Sequence, residues 1–252
     1  MELGIRLSAV ADLILPAEVF ADVGCDHGYL SVYLVEKKKC DRMIAMDVKK
    51  GPLERAESTI QRYGYTGQIQ TRLSNGIREL EIGEAEGFVC AGMGGRLALQ
   101  ILFQDREKVA LMKQIVLQPQ SELWLVRRML SVWGMSIEEE RMVCEEGKFY
   151  PMMRIKPNVS FKYAKPVTDE KFLHNYKPDE WLCYAKELYG LSLLDSKNPI
   201  LEEFMNKELN RLTAVREQLL RQTLTKRRPN RLTELEKEIF ILQQAISCYF
   251  GE

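Results

Sequence analysis

The residues with the clearest chemical potential lie in one short loop, "DVGCDHG", which runs from Asp22 to Gly28. The loop follows an apolar run and precedes an amphipathic one, as loops that bind phosphate groups or nucleotides do. A dinucleotide site would have glycine where Asp26 lies, because pyrophosphate needs close backbone approach and is repelled by a carboxylate. A ligand that carries an ammonium group would tolerate or favour Asp26. A purely structural glycine turn is the alternative.

The spacing Asp22-x-Gly24-x-Asp26-x-Gly28 resembles motif I of the class I S-adenosylmethionine (SAM) methyltransferases. That motif normally has an acidic residue followed by three glycines at every second position, so Asp26 departs from it. SAM has an α-ammonium group and a sulfonium, and both are compatible with a loop that contains carboxylates. The loop therefore predicts SAM as the cofactor.

Two further polar positions follow the next two predicted strands. Asp47 ends the run "MIAMD", where nucleotide-binding folds of this kind place a carboxylate that accepts hydrogen bonds from both ribose hydroxyls. Asn75 and Gly76 follow the third strand, where methyltransferases commonly contact the adenine ring. The simpler alternatives are a solvated strand-end aspartate and an ordinary Asn-Gly turn. The three features lie in order on successive turns, so together they indicate a SAM site more strongly than any one of them.

The end of the fourth predicted strand, "VCAGMGGRL", indicates the kind of acceptor. In amino-methyltransferases this position often reads Asp/Asn-Pro-Pro-aromatic, which holds an exocyclic amine. Residues 91–95 contain neither proline nor an acid or amide, so backbone lines the site. Such a site suits a ring nitrogen with a free lone pair, such as N1 of adenine, which must chiefly be placed in line with the methyl group. A tight strand–helix junction is the alternative, and it is compatible with this role.

Short apolar runs alternate with amphipathic segments over the first 156 or so residues, which predicts a parallel sheet with helices on both faces. The predicted strands are Val19–Val23, Met43–Asp47, Ile69–Leu73, Phe88–Ala91 and Ile115–Leu117. The predicted helices are Gly28–Glu36, Pro52–Arg62, Arg96–Lys108 and Glu122–Trp133. Ser136–Cys144 and Phe149–Lys156 flank "EEGK" and predict an antiparallel hairpin that closes the sheet. We therefore expect an α/β, Rossmann-like class I methyltransferase fold in residues 1–157.

Residues 158–252 have a different character and predict a small α-helical, coiled-coil-like domain after a proline-containing linker. Apolar residues from Leu232 to Tyr249 recur at spacings of 3, 4, 3, 4 and 3, and a less regular stripe runs from Met205 to Leu219. The breaker "KRRPN" separates the two stripes. An antiparallel helical hairpin is the simplest arrangement, although the same stripe can mediate dimerisation. We expect a monomer.

Composition excludes several classes of protein. Lys plus Arg and Asp plus Glu are equal at 36 each, so a nucleic-acid surface would have to be a local patch. The six cysteines show no CxxC pair and no metal-ligand spacing, which indicates a reducing cytosol and no metal site. The sequence has neither a signal pattern nor a membrane-spanning stretch. We therefore expect a cytoplasmic protein.

Six motifs taken in order resemble the bacterial TrmK family over essentially the whole chain: "FADVGCDHGYL", "MDV", "RLSNG", "AGMGG", "LQPQSE" and "EEGKFYPM". The family is one of tRNA (adenine-22-N1)-methyltransferases, so the resemblance implies a SAM-dependent enzyme that methylates an adenine of tRNA. Carried over by position, the cofactor residues are Asp22, Gly24, Asp26, His27, Tyr29, Asp47, Asn75, Gly76 and Gly92. Gly92 to Gly94 would face the target base.

His27, Asp26 and Met93 are the candidate catalytic residues. A ring nitrogen with a free lone pair needs no base before it attacks, so we expect catalysis by proximity and desolvation. His27 would then bind SAM or orient the base, with a general-base role as the alternative.

Binding of tRNA by a neutral protein requires local basic residues. The candidates for substrate binding are Arg6, Gly94, Arg96, Lys226, Arg227, Arg228 and Arg231. Phosphate contacts would make binding salt-dependent, whereas an ordinary solvated face is the alternative for each cluster. Two other functions remain open at this point: methylation of another RNA, a protein side chain or a small molecule, and a non-enzymatic SAM-fold scaffold.

Overall fold

The structure is a computed structural model that describes residues 1–165, 180–223 and 229–251. The chain divides into two compact units, Met1–Thr168 and Asp169–Glu252. The division between residues 157 and 158 that the sequence indicates stays a prediction. Three of the candidate substrate residues, Lys226, Arg227 and Arg228, lie outside the described residues.

The first unit contains one seven-stranded sheet. Its strands are β1 (Ala17–Val23), β2 (Cys40–Asp47), β3 (Ile69–Leu73), β4 (Gly87–Met93), β5 (Gln114–Pro119), β6 (Ser136–Glu145) and β7 (Lys148–Lys156). Their order across the sheet is β3-β2-β1-β4-β5-β7-β6. The first five strands pair in parallel, whereas β7 pairs antiparallel with β5 and with β6. The predicted mostly parallel sheet with a closing hairpin is confirmed.

Helices fill the connections between strands. They are α1 (Ile5–Leu13), α2 (Tyr29–Glu36), α3 (Lys50–Tyr63), α4 (Gly95–Gln104), α5 (Arg106–Val109) and α6 (Leu123–Val132), followed by a 3₁₀ helix at Val159–Tyr163. Two groups form, because α2 contacts α1 and α3, whereas α4 contacts α5 and α6. Two groups are expected when helices cover both faces of a parallel sheet. The sequence analysis did not predict α1.

The predicted helix Arg96–Lys108 is wrong as one element. It ends at Gln104, and Asp105 has non-helical backbone angles (φ −113°, ψ 33°) before α5 begins. Aspartate favours helix termini over helix interiors, because its short side chain competes for backbone hydrogen bonds.

The core of the first unit lies against the parallel strands. Phe20 of β1, Met43 of β2 and Val116 of β5 are almost completely inaccessible to solvent, and they belong to one apolar cluster. A buried ion pair joins α6 to the hairpin: Arg127 Nε lies 2.8 Å from Glu140 Oε1, with side-chain exposures of 6% and 3%.

The second unit is helical in its described part. Its helices are α7 (Trp181–Tyr189), α8 (Leu191–Asp195), α9 (Pro199–Thr223) and α10 (Pro229–Phe250). Helices α9 and α10 pack against each other, and the predicted stripes supply the buried residues Met205 and Leu212 of α9 and Leu235, Ile239 and Leu242 of α10. Among the described residues, no helix is long and apolar enough to cross a bilayer.

Candidate active site

The loop between β1 and α2 turns through three left-handed backbone conformations. The φ angles of Gly24, Asp26 and Gly28 are +77°, +47° and +69°. The loop is fixed to the neighbouring strand, because the N–H groups of Gly24 and Cys25 both donate to the carbonyl of Met46, at 2.8 Å and 3.0 Å. Glycine adopts this region without steric cost, and aspartate tolerates it better than most residues.

Close packing also restricts the residue at position 28, where the neighbouring atoms include helix backbone. A Cβ on Gly28 would lie 3.1 Å from Cβ and 3.2 Å from Cα of Ala56 on α3. A Cβ on Gly24 would overlap the terminal methyl group of Met93, the last residue of β4. Met93, one of the candidate catalytic residues, therefore lies against the candidate cofactor loop. The first and fourth strand ends form one site.

Asp22 is the buried carboxyl group of this site, with 4% exposure. Ser31 Oγ, on α2, donates a hydrogen bond to Asp22 Oδ2 at 2.7 Å. Burial raises the pKa of Asp22 to about 6; the hydrogen bond from Ser31 opposes the increase, and the charge of Asp47 adds to it. A buried carboxylate is a suitable partner for an ammonium group, because an opposite charge favours its ionised form.

Asp26 has a cation beside it, which the sequence did not indicate. Arg55 Nη2, on α3, donates to Asp26 Oδ1 at 2.6 Å, and the Asp26 side chain is 61% exposed. Arg55 balances the charge that was expected to repel pyrophosphate. The charge of Asp26 alone therefore does not decide between a dinucleotide, which has a pyrophosphate, and a ligand that carries an ammonium group. The more buried Asp22 is the better candidate to bind an ammonium group.

His27 lies at the surface of the loop with its side chain 45% exposed. Its Nε2 is 3.7 Å from Asp26 Oδ2, and its ring stacks on Tyr29 with centroids 5.7 Å apart. A general base is normally oriented by a short hydrogen bond to a second group. The contacts of His27 are those of a side chain held by stacking.

The candidate ribose and adenine positions lie at the ends of β2 and β3. Asp47 Oδ1 accepts a hydrogen bond from the N–H of Lys49 at 2.9 Å, and the Asp47 carbonyl accepts from the N–H of Ser74. Asn75 is exposed, and Gly76 is buried with φ +66°. Val48 is 60% exposed although it is apolar, and it follows Asp47 directly. Val48 was not among the predicted site residues, and a flat apolar ring could cover it.

The end of β4 contains a β-bulge at Gly92. Ala91 pairs with Gln118 and Met93 with Pro119, so Gly92 is left out of the ladder, with φ +84°. Bulges of this kind are common beside active sites, where they redirect the chain. The side chains that border Gly92 are Arg6 and Gln120, whose nearest nitrogen atoms lie 3.7 Å and 3.6 Å from the Cβ position.

Two residues at this strand end were not predicted as site residues. Gln118 is completely buried and accepts a hydrogen bond from Arg6 Nη1 at 2.9 Å. Gln120 is exposed beside Gly92, and its N–H donates to the carbonyl of Met93 at 2.8 Å. The signal was present in the motif "LQPQSE", which places both glutamines at the end of a buried parallel strand.

The remaining candidate substrate residues are dispersed. Gly94 is the N-cap residue of α4, and a Cβ at this position would lie 3.3 Å from Oγ of Ser121. Arg96 is paired with Glu122 through its Nε, and Arg231 of α10 lies 3.4 Å from Glu234. Arg231 also lies 3.3 Å from Glu238. Carboxylates on the same unit therefore partly balance both cations.

A metal site is not indicated. Within residues 1–165, 180–223 and 229–251, no three His, Cys, Asp or Glu side chains are grouped so that they could hold a metal ion.

Comparison with known proteins places this arrangement in a family. The family model described as "Methyltransferase domain" matches residues 3–153. The chain is 27% identical over 246 residues to the tRNA (adenine(22)-N(1))-methyltransferase of Bacillus subtilis, with 98% of each chain covered. Over 97% of its length it matches the crystal structure of the B. subtilis M1A22 tRNA methyltransferase TrmK, at 25% identity, a TM-score of 0.78 and 99% coverage of that chain.

A second solved structure is that of Streptococcus pneumoniae Sp1610, a putative tRNA (m1A22) methyltransferase, in complex with S-adenosyl-L-methionine. It has 25% identity and a TM-score of 0.78, with 97% of this chain and 100% of that chain covered. Together with the glycine loop and the buried strand ends, these matches confirm the resemblance drawn from the sequence motifs: the chain belongs to the methyltransferase-domain family and, within it, to the TrmK family.

Proposed function

We propose that the protein transfers the methyl group of SAM to N1 of an adenine at position 22 of tRNA. The observation that carries the proposal is the match to the B. subtilis enzyme over 98% of both chains. A catalytic domain alone is shared by methyltransferases with many acceptors, because fold does not determine function. The match extends over the helical unit as well, which favours the same methyl acceptor for this protein and for the B. subtilis enzyme.

The residues of the first unit fit SAM. The buried Asp22 suits the α-ammonium group, and the turn has no side chains at Gly24 and Gly28 to keep a ligand from the backbone. Asp47 suits the ribose hydroxyls, and the exposed Val48 offers an apolar surface to the adenine ring. His27, Tyr29, Asn75 and Gly76 complete the proposed cofactor set on the same three turns.

The chemistry follows from the acceptor. Bound SAM supplies an electrophilic methyl group on a sulfonium. The chain must exclude water, hold the adenine plane beside Gly92 and Met93, and leave the N1 lone pair free to attack. Attack would form the N1–CH₃ bond as the S–CH₃ bond breaks, with its electron pair staying on the sulfur that leaves as a neutral thioether. The positive charge would then lie on the base, which can later lose a proton from N6 to solvent. No residue has to remove a proton before the methyl group moves, so positioning supplies the rate enhancement.

We also propose a monomeric, cytoplasmic enzyme with a catalytic domain at residues 1–157 and a coiled-coil-like domain at residues 158–252. Burial of Leu235, Ile239 and Leu242 within a single chain supports the monomer, because the apolar stripe is already covered. The basic residues Arg6, Arg96 and Arg231, with Lys226, Arg227 and Arg228, are proposed to contact tRNA.

Transfer of labelled methyl groups from SAM to tRNA tests the proposal. We expect 1-methyladenosine as the product in nucleoside digests of a transcript that has adenine at position 22. The matched control is the same transcript with guanine at that position, which should accept no label. Label in another nucleoside, in protein or in small molecules would replace the tRNA assignment with another acceptor. A failure to bind SAM would favour a non-enzymatic scaffold.

Substitution of His27 tests the expectation that no general base is needed. His27→Asn and His27→Ala should lower kcat by less than about tenfold, because a base contributes about 10²-fold or more where one is required. The pH–rate profile should keep its form in both variants. Loss of a limb near neutral pH in both variants, together with a decrease of 10²-fold or more, would show that His27 acts as a base.

A further inference from the structure

Residues of three strands contact Arg6, beside the bulge of β4. Arg6 lies in the first turn of α1, and Gln118 of β5 accepts a hydrogen bond from its Nη1. The guanidinium carbon lies over the ring of Tyr150 on β7, 5.5 Å from the ring centroid. The backbone N–H of Arg6 donates to Oε1 of Glu145 on β6 at 3.3 Å. The arginine is therefore held at both its backbone and its guanidinium.

Two of these partners are themselves fixed. Gln118 is completely buried, and its Nε2 donates to the carbonyl of Pro119 at 3.3 Å, so its Oε1 is presented to Arg6. The carboxylate of Glu145 lies at the amino end of α1, where it is favoured by the helix dipole. A Cβ on Gly4, which precedes α1, would lie only 2.7 Å from Oε1 of Glu145. Glycine at position 4 therefore allows the carboxylate to approach the helix end.

Two groups contact the guanidinium. Its N–H groups lie in the guanidinium plane, so the hydrogen bond to Gln118 engages an edge. The ring of Tyr150 lies on one side, with its centroid 5.5 Å from the guanidinium carbon. Arg6 Nη1 also lies 3.7 Å from the Cβ position of Gly92. A preorganised planar cation thus borders the glycine-lined end of β4.

We propose that the guanidinium of Arg6 is the surface on which the target adenine stacks, and that Gln118 and Tyr150 are positioning residues that act through it. The inference rests on the proposed function and adds a specific role for three residues. Proteins hold unpaired bases by stacking them on aromatic rings or guanidinium planes. Stacking leaves the Watson–Crick edge free, and that edge carries N1. It also supplies what the backbone around Gly92 lacks, a surface that fixes the plane of the base.

Arg6→Lys is the decisive variant, because lysine keeps the charge but cannot stack as a plane. Steady-state methyl transfer to a tRNA transcript at saturating SAM should show kcat reduced about 10- to 100-fold in both Arg6→Lys and Arg6→Ala. The affinity for SAM should stay within about twofold, since no cofactor group is assigned to Arg6. The control is Arg42→Lys, an exposed arginine in the amino-terminal half of β2 that pairs with Glu18, and its kcat should not change.

The positioning residues are tested through Arg6. Gln118→Ala and Tyr150→Leu should each lower kcat about tenfold in the wild-type background and by much less in the Arg6→Ala background, because their effect passes through the arginine. Tyr150→Phe keeps the ring and should retain activity. A fall in thermal stability without this non-additivity would show a structural role only and would contradict the positioning role.

Two results would overturn the inference. One is a wild-type kcat in Arg6→Lys. The other is an Arg6→Ala variant that changes only KM and lowers the salt dependence of tRNA binding, since that would identify a phosphate contact. Failure of the proposed function would be visible in the wild type itself, which would form no 1-methyladenosine, and the stacking role would fall with it. An active wild type with an equally active Arg6→Lys would overturn the stacking role alone.

Discussion

The affinity for SAM is expected to increase about tenfold for each pH unit up to about pH 6 and to level off above it. The pKa of Asp22 is raised to about 6 by burial, so the group is largely protonated below that pH. An ammonium group binds the carboxylate and not the neutral acid, so binding releases a proton as long as Asp22 carries one. Titration calorimetry or equilibrium dialysis between about pH 5 and 8 measures the dependence.

Two variants assign the pH dependence to Asp22. Asp22→Asn should remove it and weaken binding at pH 8 by about 10- to 100-fold, because a charged hydrogen bond is lost. Ser31→Ala removes the hydroxyl that lowers the pKa of Asp22, so its inflection should move to higher pH.

Other ionisable groups near Asp22 are considered as alternative sources of the pH dependence. Asp47 also faces it, and burial raises the pKa of the Cys90 thiol to about 12, so this cysteine stays neutral in the range. His27→Asn removes the imidazole from the same loop and should leave the inflection in place. A flat profile in the wild type, or an inflection that survives in Asp22→Asn, would contradict the assignment.

Ionisation of Asp22 should increase the affinity for SAM but decrease the stability of the cofactor-free protein. The pKa of Asp22 increases from 3.8 to about 6 on folding, so ionised Asp22 opposes folding. Stability is therefore lost as the pH rises from about 4 to 6, by on the order of 3 kcal/mol, and the loss stays constant above that range. Asp22→Asn should be more stable than the wild type at pH 7 and similar to it at pH 4, while binding SAM more weakly.

Replacement of Arg127 by methionine is expected to lower the free energy of unfolding by about 3–5 kcal/mol. The partner carboxylate of Glu140 is 3% exposed and would stay buried without this cation. Chemical denaturation measures the loss. In a protein of this size it corresponds to a decrease in Tm on the order of 10 °C.

A double variant distinguishes burial of a charge from loss of packing. Arg127→Met with Glu140→Leu removes both charges and should be more stable than Arg127→Met alone, because no unpaired carboxylate remains. Arg42→Met breaks an exposed pair with Glu18 and should cost less than about 1 kcal/mol. A cost below about 1 kcal/mol for Arg127→Met would show that the buried pair contributes little.

The fold class and the family could be predicted from the sequence, and both are confirmed. Strand–helix alternation and the hairpin around "EEGK" were sufficient to predict a mostly parallel sheet with a closing antiparallel hairpin, because periodicity and turn residues are local features. Helix α1 was missed. Its importance comes from Arg6, whose partners Gln118 and Glu145 lie 112 and 139 residues away. No local pattern indicates such contacts.

By itself the sequence placed the candidate cofactor residues on successive turns: the glycine loop at Gly24 and Gly28 after the first strand, and Asp47 at the end of the next strand. Both follow from backbone geometry within a few residues and from the rule that parallel strands end at one edge. Only the tertiary structure decided their electrostatic state. Burial under α2 raises the pKa of Asp22, and Arg55 of α3, 29 residues away, balances Asp26. The fold of the hairpin beside β5 brings Tyr150 to Arg6. Charge, burial and pairing depend on which elements become neighbours, and the packing of the whole sheet determines that.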